Sequence, residues 1–171
     1  MRFKLLDRIT ALEPNVSITA VKGLGLAEDY LADHFPLFPV MPGVFMLEAM
    51  TQASAWLIRV SEDFQHSMVL LKEARNVKYA DFVAPGQILS VTAEILSQDE
   101  KETKLKVQGA VDGRANVSAR LVMTRFNLAE GNLARASADE HVIRQMRRQY
   151  HVLFPTDKAN RNQIASEAVG L

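Results

Sequence analysis

Two hydrophobic patterns divide the chain. Residues 44–58 are apolar on nearly every side, and a helix that is hydrophobic all round is usually a buried one. After residue 68 the apolar positions recur at every second residue, which is typical of half-buried strands. The chain is therefore predicted to have one buried helix followed by a sheet.

The alternation also places the individual strands. Asp112-Gly113 is a strong signal for a two-residue hairpin between two of them. Long strands in a meander after one buried helix form an antiparallel sheet with that helix on one face, which is an α+β fold. The predicted strands cover residues 16–21, 68–79 with a bend midway, 89–95, 105–111 and 115–127.

The two ends of the chain carry weaker signals. Residues 3–10 form a short apolar stretch, and residues 27–31 fit a single helical turn. Ser137 and Glu140 have the spacing of a capping box. Ile143, Met146 and Tyr150 then follow at helical spacing, which predicts a terminal helix over about residues 137–152. Residues 156–171 are polar enough to be frayed.

One acidic residue does not fit its surroundings. Three prolines between residues 36 and 42 stiffen the loop ahead of the buried helix, and Pro42-Gly43 can open that helix. Glu48 lies in the middle of the helix, with Gln52 one turn later on the same face. A buried carboxylate is costly unless it is paired or protonated, so folding alone does not account for Glu48.

Composition narrows the classes of function. A chain of 171 residues, 48% of them apolar, is predicted to form a single domain with a real core. The formal net charge is zero, which gives no reason to expect a nucleic-acid partner. The absence of cysteine excludes thiol catalysis and zinc–thiolate sites, and we expect no metal. We expect a cytoplasmic protein, since charge comes too early for a signal peptide and no apolar run reaches the roughly 18 residues of a membrane span.

The stretch around Glu48 resembles a known family. From His34 the sequence reads His-Phe-Pro-Leu-Phe-Pro-Val-Met-Pro-Gly-Val, and from Glu48 it reads Glu-Ala-Met-Thr-Gln-Ala. This pattern resembles the FabZ-like 3-hydroxyacyl-[acyl-carrier-protein] dehydratases of bacterial fatty-acid synthesis. The resemblance covers roughly residues 3–128 and implies a hotdog fold, in which an antiparallel sheet wraps around a long central helix. The C-terminal helical extension, residues 129–171, lies outside it. Leu37 and Gln87 stand where the family usually has glycine and aspartate.

In that family the pair His34 and Glu48 would perform the chemistry. Eliminating water from a 3-hydroxyacyl thioester requires removal of an α-proton and protonation of the departing hydroxyl. A neutral imidazole suits the first task, and a protonated carboxyl group suits the second. The non-catalytic alternatives are that His34 is a structural loop residue and that Glu48 forms a salt bridge with Arg75. The sequence alone identifies the pair but not how it divides the two transfers.

Three further residues are candidates for binding substrate. The backbone N–H groups of Gly43 and Val44 lack partners inside the helix, and the helix dipole adds positive potential there. They could hold the thioester carbonyl, although Gly43 could also be present only to form the turn that opens the helix. Gln52 could orient Glu48 or a water, or be a structural amide. The other histidines, His66, His141 and His151, lack metal-ligand spacing and are predicted at the surface.

The resemblance also implies partners. The substrate would arrive on an acyl carrier protein, and no cofactor would be required. A two-fold dimer with a continuous sheet, sometimes three dimers in a ring, would form composite sites in which the histidine of one subunit faces the glutamate of the other. The alternatives are a hotdog acyl thioesterase and a non-catalytic acyl-carrier-binding partner in a hetero-oligomer.

Overall fold

The computed structural model describes residues 4–35 and 37–155. Six strands form one sheet, and two long helices pack with it. In chain order the elements are β1 Arg8–Glu13, β2 Ser17–Gly23, α1 Tyr30–Asp33, α2 Gly43–Ser61, β3 Met68–Tyr79, β4 Ile88–Gln98, β5 Glu102–Val111, β6 Arg114–Phe126, two 3₁₀ turns at Leu128–Glu130 and Leu133–Arg135, and α3 Ala136–Leu153.

The sheet is antiparallel throughout. Its strand order is β1-β2-β4-β5-β6-β3, so β1 and β3 are its two end strands. The predicted β4–β6 meander is confirmed, including the hairpin turn at Asp112 and Gly113, where both residues have positive φ. The predicted bend in β3 is also confirmed, because the pairing of β3 with β6 shifts register twice, after Leu71 and after Arg75.

Helix α2 lies across one face of this sheet. Pro42 occupies its N-cap position and Gly43 its first turn, as the Pro-Gly pair predicts. The face of α2 that meets the sheet is completely enclosed: Ala49, Met50, Ala53, Leu57 and Ile58 have no measurable exposure. Burial of apolar surface on this scale is the main source of stability of such a domain, and it fixes which face of α2 remains for function.

The opposite face of α2 is less buried than its composition suggests. Val44 is 64% exposed, and Glu48 and Gln52 are only partly buried. The prediction of a helix buried on every side is therefore wrong for its first turns. A single sheet covers only one face of the helix, and among the described residues nothing covers Val44 on the other face.

Two boundaries differ from the prediction. The first strand begins at Arg8, near the end of the apolar stretch of residues 3–10, and pairs with β2 across a turn in which Asn15 is left-handed. The short helix lies at Tyr30–Asp33 rather than at residues 27–31. Leu5 and Leu6 are buried ahead of β1 without being paired in it, so apolar content there marks packing and not a strand.

The C-terminal helix is confirmed to within one residue at each end, but its predicted cap is not. Helix α3 begins at Ala136 after Arg135, and its N-cap position carries no side-chain hydrogen bond, so the predicted Ser137–Glu140 capping box is wrong. The preceding 3₁₀ turns have the caps instead: Asn127 and Glu130 form a capping box, and Asn132 accepts from the Ala134 N–H. Because those turns run directly into α3, the helix needs no cap of its own.

The predicted apolar stripe of α3 packs against the core through Ile143, Met146 and Tyr150. The predicted fraying of residues 156–171 concerns a segment outside the described residues. Across the part of the chain that the structure describes, no helix combines the length and apolar character required to span a membrane.

Candidate active site

His34 lies at the end of α1, where the loop toward α2 begins. Its backbone N–H donates to the Tyr30 carbonyl oxygen at 3.1 Å, which closes the short helix. The imidazole lies 4.4 Å, centroid to centroid, from the Phe35 ring, and Phe35 has a positive φ of 49°. His34 is partly buried and faces a cavity of about 360 Å³.

The N-terminus of α2 forms another wall of this cavity. Gly43 and Met46 line it together with His34 and Tyr79. The first helical bonds run from the Phe45 and Met46 N–H groups to the Pro42 carbonyl oxygen. The N–H groups of the first turn lie ahead of the repeating helical pattern and point out of the helix end, where the helix dipole favours negative charge.

Glycine at position 43 allows the Tyr79 ring to pack closely against the start of α2. A Cβ at that position would come within 3.0 Å of the Tyr79 ring, which is tighter than ordinary van der Waals contact. Tyr79 is the last residue of β3 and is 50% exposed. Gly43 therefore serves close packing as well as the turn, and Tyr79 lies across the cavity that His34 faces.

Glu48 is held by a chain of two hydrogen bonds. Gln52 Nε2 donates to Glu48 Oε1 at 2.9 Å, and Gln52 Oε1 accepts from the Leu5 N–H at 3.0 Å. This arrangement fixes the orientation of the Gln52 amide, because its nitrogen must face the carboxyl group and its oxygen the backbone N–H. The N-terminal segment, through Leu5 and Gln52, thus sets the position of the Glu48 carboxyl group.

Glu48 lines a second cavity, of about 380 Å³, on the face of α2 that the sheet does not cover. Residues 69–71 of β3 and Lys4 contribute to its walls. Helix α3 adds Met146 and Gln149 from outside. Five further residues of α2 complete the lining near its middle and C-terminal end, namely Thr51, Gln52, Ala55, Trp56 and Arg59.

The structure brings the predicted residues together in two groups rather than one. His34 and Gly43 share the first cavity, and Glu48 and Gln52 share the second. Val44 is exposed and lines neither cavity within the described residues. One chain therefore presents two half-sites. Both lie against the end strand β3: the first touches Tyr79 at its C-terminal end, the second residues 69–71 near its N-terminal end.

The alternative partner for Glu48 is engaged elsewhere. Arg75 donates to Glu73 at 2.6 Å on the exposed surface of β3, and no ion pair to Glu48 occurs within the described residues. Among the other histidines, His141 and His151 are exposed as predicted. His66 is not: its side chain is 17% exposed, and its Nδ1 lies 3.0 Å from Glu62 Oε2.

Sequence reasoning missed two residues of these cavities. Tyr79 ends a strand, and Arg59 lies in the last turn of α2, far along the chain from His34. The helical spacing of Glu48, Gln52 and Arg59 could have placed Arg59 on the same face as Glu48. Nothing in the sequence pairs Tyr79 with Gly43, because that contact depends on how β3 lies against α2.

A protein-family model described as a FabA-like domain matches residues 1–124. The chain is 35% identical over 125 residues to the 3-hydroxyacyl-[acyl-carrier-protein] dehydratase FabZ of Ruminiclostridium cellulolyticum, covering 72% of this chain and 88% of that relative. It is also 35% identical over 128 residues to the FabZ dehydratase of Ehrlichia chaffeensis, covering 74% of this chain and 88% of that protein.

Solved structures share the fold at lower identity. A chain of the dehydratase heterocomplex ApeI:P from Xenorhabdus doucetiae superposes with a TM-score of 0.61 and 21% identity, covering 78% of this chain and 90% of that one. The protein smu.793 from Streptococcus mutans, bound to acetyl CoA, superposes with a TM-score of 0.57 and 12% identity. The match covers 74% of this chain and 93% of that one. The fold of a sheet around a central helix with a C-terminal helix is confirmed, while helix α3 lies beyond the region that the family model matches.

Proposed function

The chain belongs to the FabZ-like dehydratases of the FabA-like family, and from that premise we propose that it converts (3R)-3-hydroxyacyl-acyl-carrier-protein to the trans-2-enoyl form. The reaction is a hydro-lyase step that releases water and requires no change of oxidation state from the protein. The observation that carries the proposal is the position of His34, in a cavity whose other wall is the N-terminus of α2.

His34 is the proposed base. In the first cavity a thioester carbonyl oxygen would lie at the N-terminal end of α2, near the N–H groups of Gly43 and Val44. As the base removes the α-proton, negative charge develops on that oxygen, and preorganised N–H groups stabilise such charge without reorganising. The contact of Tyr79 with Gly43 keeps this end of the helix free of a side chain.

Glu48 is the proposed acid. Its carboxyl group would give a proton to the departing 3-hydroxyl, so that the C–O bond breaks with loss of water rather than hydroxide. Gln52 is a positioning residue in this scheme, because it holds one carboxyl oxygen through its amide N–H. The other oxygen is then the one that faces the substrate. The proton gained by His34 and the proton lost by Glu48 balance over one turnover.

The two half-sites would combine across a two-fold dimer. β3 is an end strand of the sheet, and unpaired end strands are the natural site of strand addition. If two copies of β3 pair antiparallel about their midpoint, residues 69–71 of one copy lie near Tyr79 of the other. The cavity of Glu48 would then meet the cavity of His34 from the partner, which supports a composite site.

The remaining parts of the proposal concern context. We propose that the substrate is carried by an acyl carrier protein, as the names of the FabZ relatives state for those proteins. A trimer of such dimers and a cytoplasmic location belong to the same proposal and follow from the resemblance alone.

A direct assay tests the function. Purified protein is given (3R)-3-hydroxydecanoyl thioesters, and two products are followed: the conjugated enoyl thioester by its absorbance, and free thiol with a thiol reagent. We expect enoyl thioester to form without free thiol. Release of free thiol in its place would identify a thioesterase. Tight binding of acylated carrier without either product would identify a non-catalytic binding partner.

A further inference from the structure

Arg59 is a partly buried arginine whose side chain has no ion-pair partner among the described residues. It lies in the last turn of α2, and its Nε is buried without a hydrogen-bond partner. Within residues 4–35 and 37–155 the side chain forms no ion pair, and its guanidinium carbon lies 5.7 Å from the centroid of the Trp56 ring. Burial lowers the pKa of the guanidinium to about 10.

Such a group normally has a counter-charge. Removing a cation from water is costly unless it is paired and hydrogen-bonded, and arginine is suited to bind the two oxygens of a carboxylate or phosphate in a fork. Arg125, which is buried, follows this rule: its Nε also lacks a hydrogen bond of good geometry but lies 2.5 Å from Glu62 Oε1, and its Nη1 donates to Thr103 Oγ1 at 3.0 Å. Arg59 is the exception, and it lines a cavity.

That cavity is the one that contains Glu48. Glu48, Gln52 and Arg59 share one face of α2, and Arg59 follows Glu48 by eleven positions, which corresponds to about 16 Å along the axis. Lys4 adds a second positive charge to the lining. When the reacting carbon of a substrate lies at Glu48, a group at the far end of an extended part of that substrate can therefore reach the partly buried guanidinium of Arg59.

Helix α3 contributes to this cavity from beyond the region that the family model matches. Met146 and Gln149 form its outer wall, and α3 lies beyond residue 124, where the family match ends. Gln149 adds an amide beside the apolar Met146 and Trp56. The cavity thus combines apolar walls with polar and positively charged side chains.

We propose that Arg59 binds an oxyanion carried by the substrate while the 3-hydroxyacyl group lies at Glu48. The proposal rests on the dehydratase function proposed above. Two parts of a substrate could supply the oxyanion: a carboxylate at the far end of the acyl chain, or the phosphate of the pantetheine arm. Both place the same chemistry, oxygen atoms with negative charge, at a fixed distance from the reacting carbon.

Four substrates separate these sources. The acyl group is (3R)-3-hydroxydecanoyl or the same chain with a terminal carboxylate, and the carrier is N-acetylcysteamine or 4′-phosphopantetheine. kcat/KM is measured for each with the wild-type full chain, with Arg59→Met and with Arg59→Lys. Arg144→Met is the matched control, because Arg144 is an exposed residue of α3 paired with Glu140.

We expect Arg59→Met to lower kcat/KM more for substrates that carry the oxyanion than for the methyl-ended N-acetylcysteamine thioester. The difference should be about 10- to 100-fold, which is the range expected for a hydrogen bond to a charged group. A loss confined to carboxylate-ended chains assigns the site to the acyl end; a loss confined to phosphopantetheine thioesters assigns it to the arm. Arg59→Lys should restore part of the loss and Arg144→Met should show none. An equal loss on all four substrates, or no loss, overturns the proposal.

Thermal shifts keep the test independent of turnover. Each thioester is added to wild type and to Arg59→Met, and the rise in Tm is compared. If the wild type converts no substrate but only oxyanion-bearing thioesters raise its Tm, and Arg59→Met removes that rise, the binding site stands and the proposed reaction fails. If the wild type turns over all four substrates and the Tm rise is the same in both proteins, the reaction stands and the oxyanion site fails.

Discussion

Glu48 lies on the one face of α2 that the sheet leaves uncovered, and this placement separates its role in folding from its role in chemistry. Ala49 and Met50, the next residues along the helix, point into the core and have no measurable exposure. Glu48 is only partly buried and has a designated hydrogen-bond donor in Gln52. A change at Glu48 can therefore alter reactivity without disturbing the packing that holds α2 on the sheet.

We expect Glu48→Gln to fold normally and to lose about 10²- to 10⁴-fold in kcat, the usual contribution of one general acid or base. The new amide oxygen can still accept the hydrogen bond from Gln52, but the group no longer carries a transferable proton. Turnover and Tm are measured together. Glu94→Gln, a change on the exposed surface of β4, is the control and should keep full activity. Wild-type turnover in Glu48→Gln would remove Glu48 from the chemistry.

Tyr30 offers a test of stability at the same scale. Its hydroxyl is buried and has no hydrogen-bond partner within the described residues, and burial, aided by the carboxylates of Glu28 and Asp7, raises its pKa to about 12. Its ring meets Phe45 edge-on at 4.8 Å, a contact that phenylalanine preserves. We expect Tyr30→Phe to stabilise the fold by about 1 kcal/mol, since an unsatisfied buried polar group is lost. A drop in stability on urea unfolding would reveal a partner for the hydroxyl.

The functional role of an individual residue was predictable from the sequence only where its side chain did not suit the apolar or rigid segment around it. Glu48 stood out because a carboxylate in an apolar helix needs an explanation, and His34 because of the proline-rich run that follows it. Arg59 and Tyr79 did not stand out. An arginine near a helix C-terminus is favourable for its own reasons, and a tyrosine in a strand is ordinary, so only the fold reveals what they face.

At the scale of elements, Asp139 anchors helix α3 to the rest of the fold. Its carboxylate accepts from Ser67 Oγ, from the Leu128 N–H at 2.9 Å and from the Ala129 N–H at 2.8 Å. Burial alone would raise the pKa of this carboxyl group, but the three hydrogen bonds outweigh burial and hold the pKa below its usual value. The residue thus ties α3 to the turn after β6 and to the start of β3.

We expect Asp139→Asn to lower Tm. The side-chain N–H group of the asparagine would face one of the two backbone N–H donors, which would then lose its acceptor. A carboxyl group whose folded-state pKa is depressed stabilises the fold above its unfolded-state pKa and loses that contribution as pH falls through the folded-state value. The Tm gap between wild type and variant should therefore be full at neutral pH and shrink below about pH 4. Glu140→Gln, on the exposed side of α3, is the control. A gap that stays constant into acid would mean that Asp139 acts without its charge.

Elements with a strong period were predictable, and those set by tertiary contacts were not. The alternation in β4, β5 and β6 located all three strands, because each has one face in the core. β1 was not predicted, because the apolar residues ahead of it, Leu5 and Leu6, are buried without strand pairing. The cap of α3 was wrongly predicted at Ser137 and Glu140, because Asn127 and Asn132 cap the turns before the helix instead.

For the whole molecule, the separation of the two cavities is the most informative feature. His34 and Glu48 belong to one pattern in the sequence, yet the fold assigns them to different half-sites along β3. Several apolar side chains are exposed on the same side, including Val44 at 64%, Phe82 at 55% and Leu71 at 37%. A second copy paired through β3 would cover such residues and complete both half-sites at once.

Complementation between two inactive variants tests this arrangement. We expect His34→Ala to lose about 10²- to 10⁴-fold in kcat, as expected for loss of one general base, and Glu48→Gln to be similarly impaired. In a mixed dimer with composite sites, one site carries both changes and the other carries neither. Random mixing makes half of all dimers mixed, each with one intact site of two, so co-expressed chains should reach at most about a quarter of wild-type activity under two-fold symmetry. Different affinity tags on the two chains allow the mixed dimers to be isolated, and these should reach about half. If isolated mixed dimers remain as inactive as either parent, each site lies within one subunit, and the antiparallel pairing of β3 does not build it.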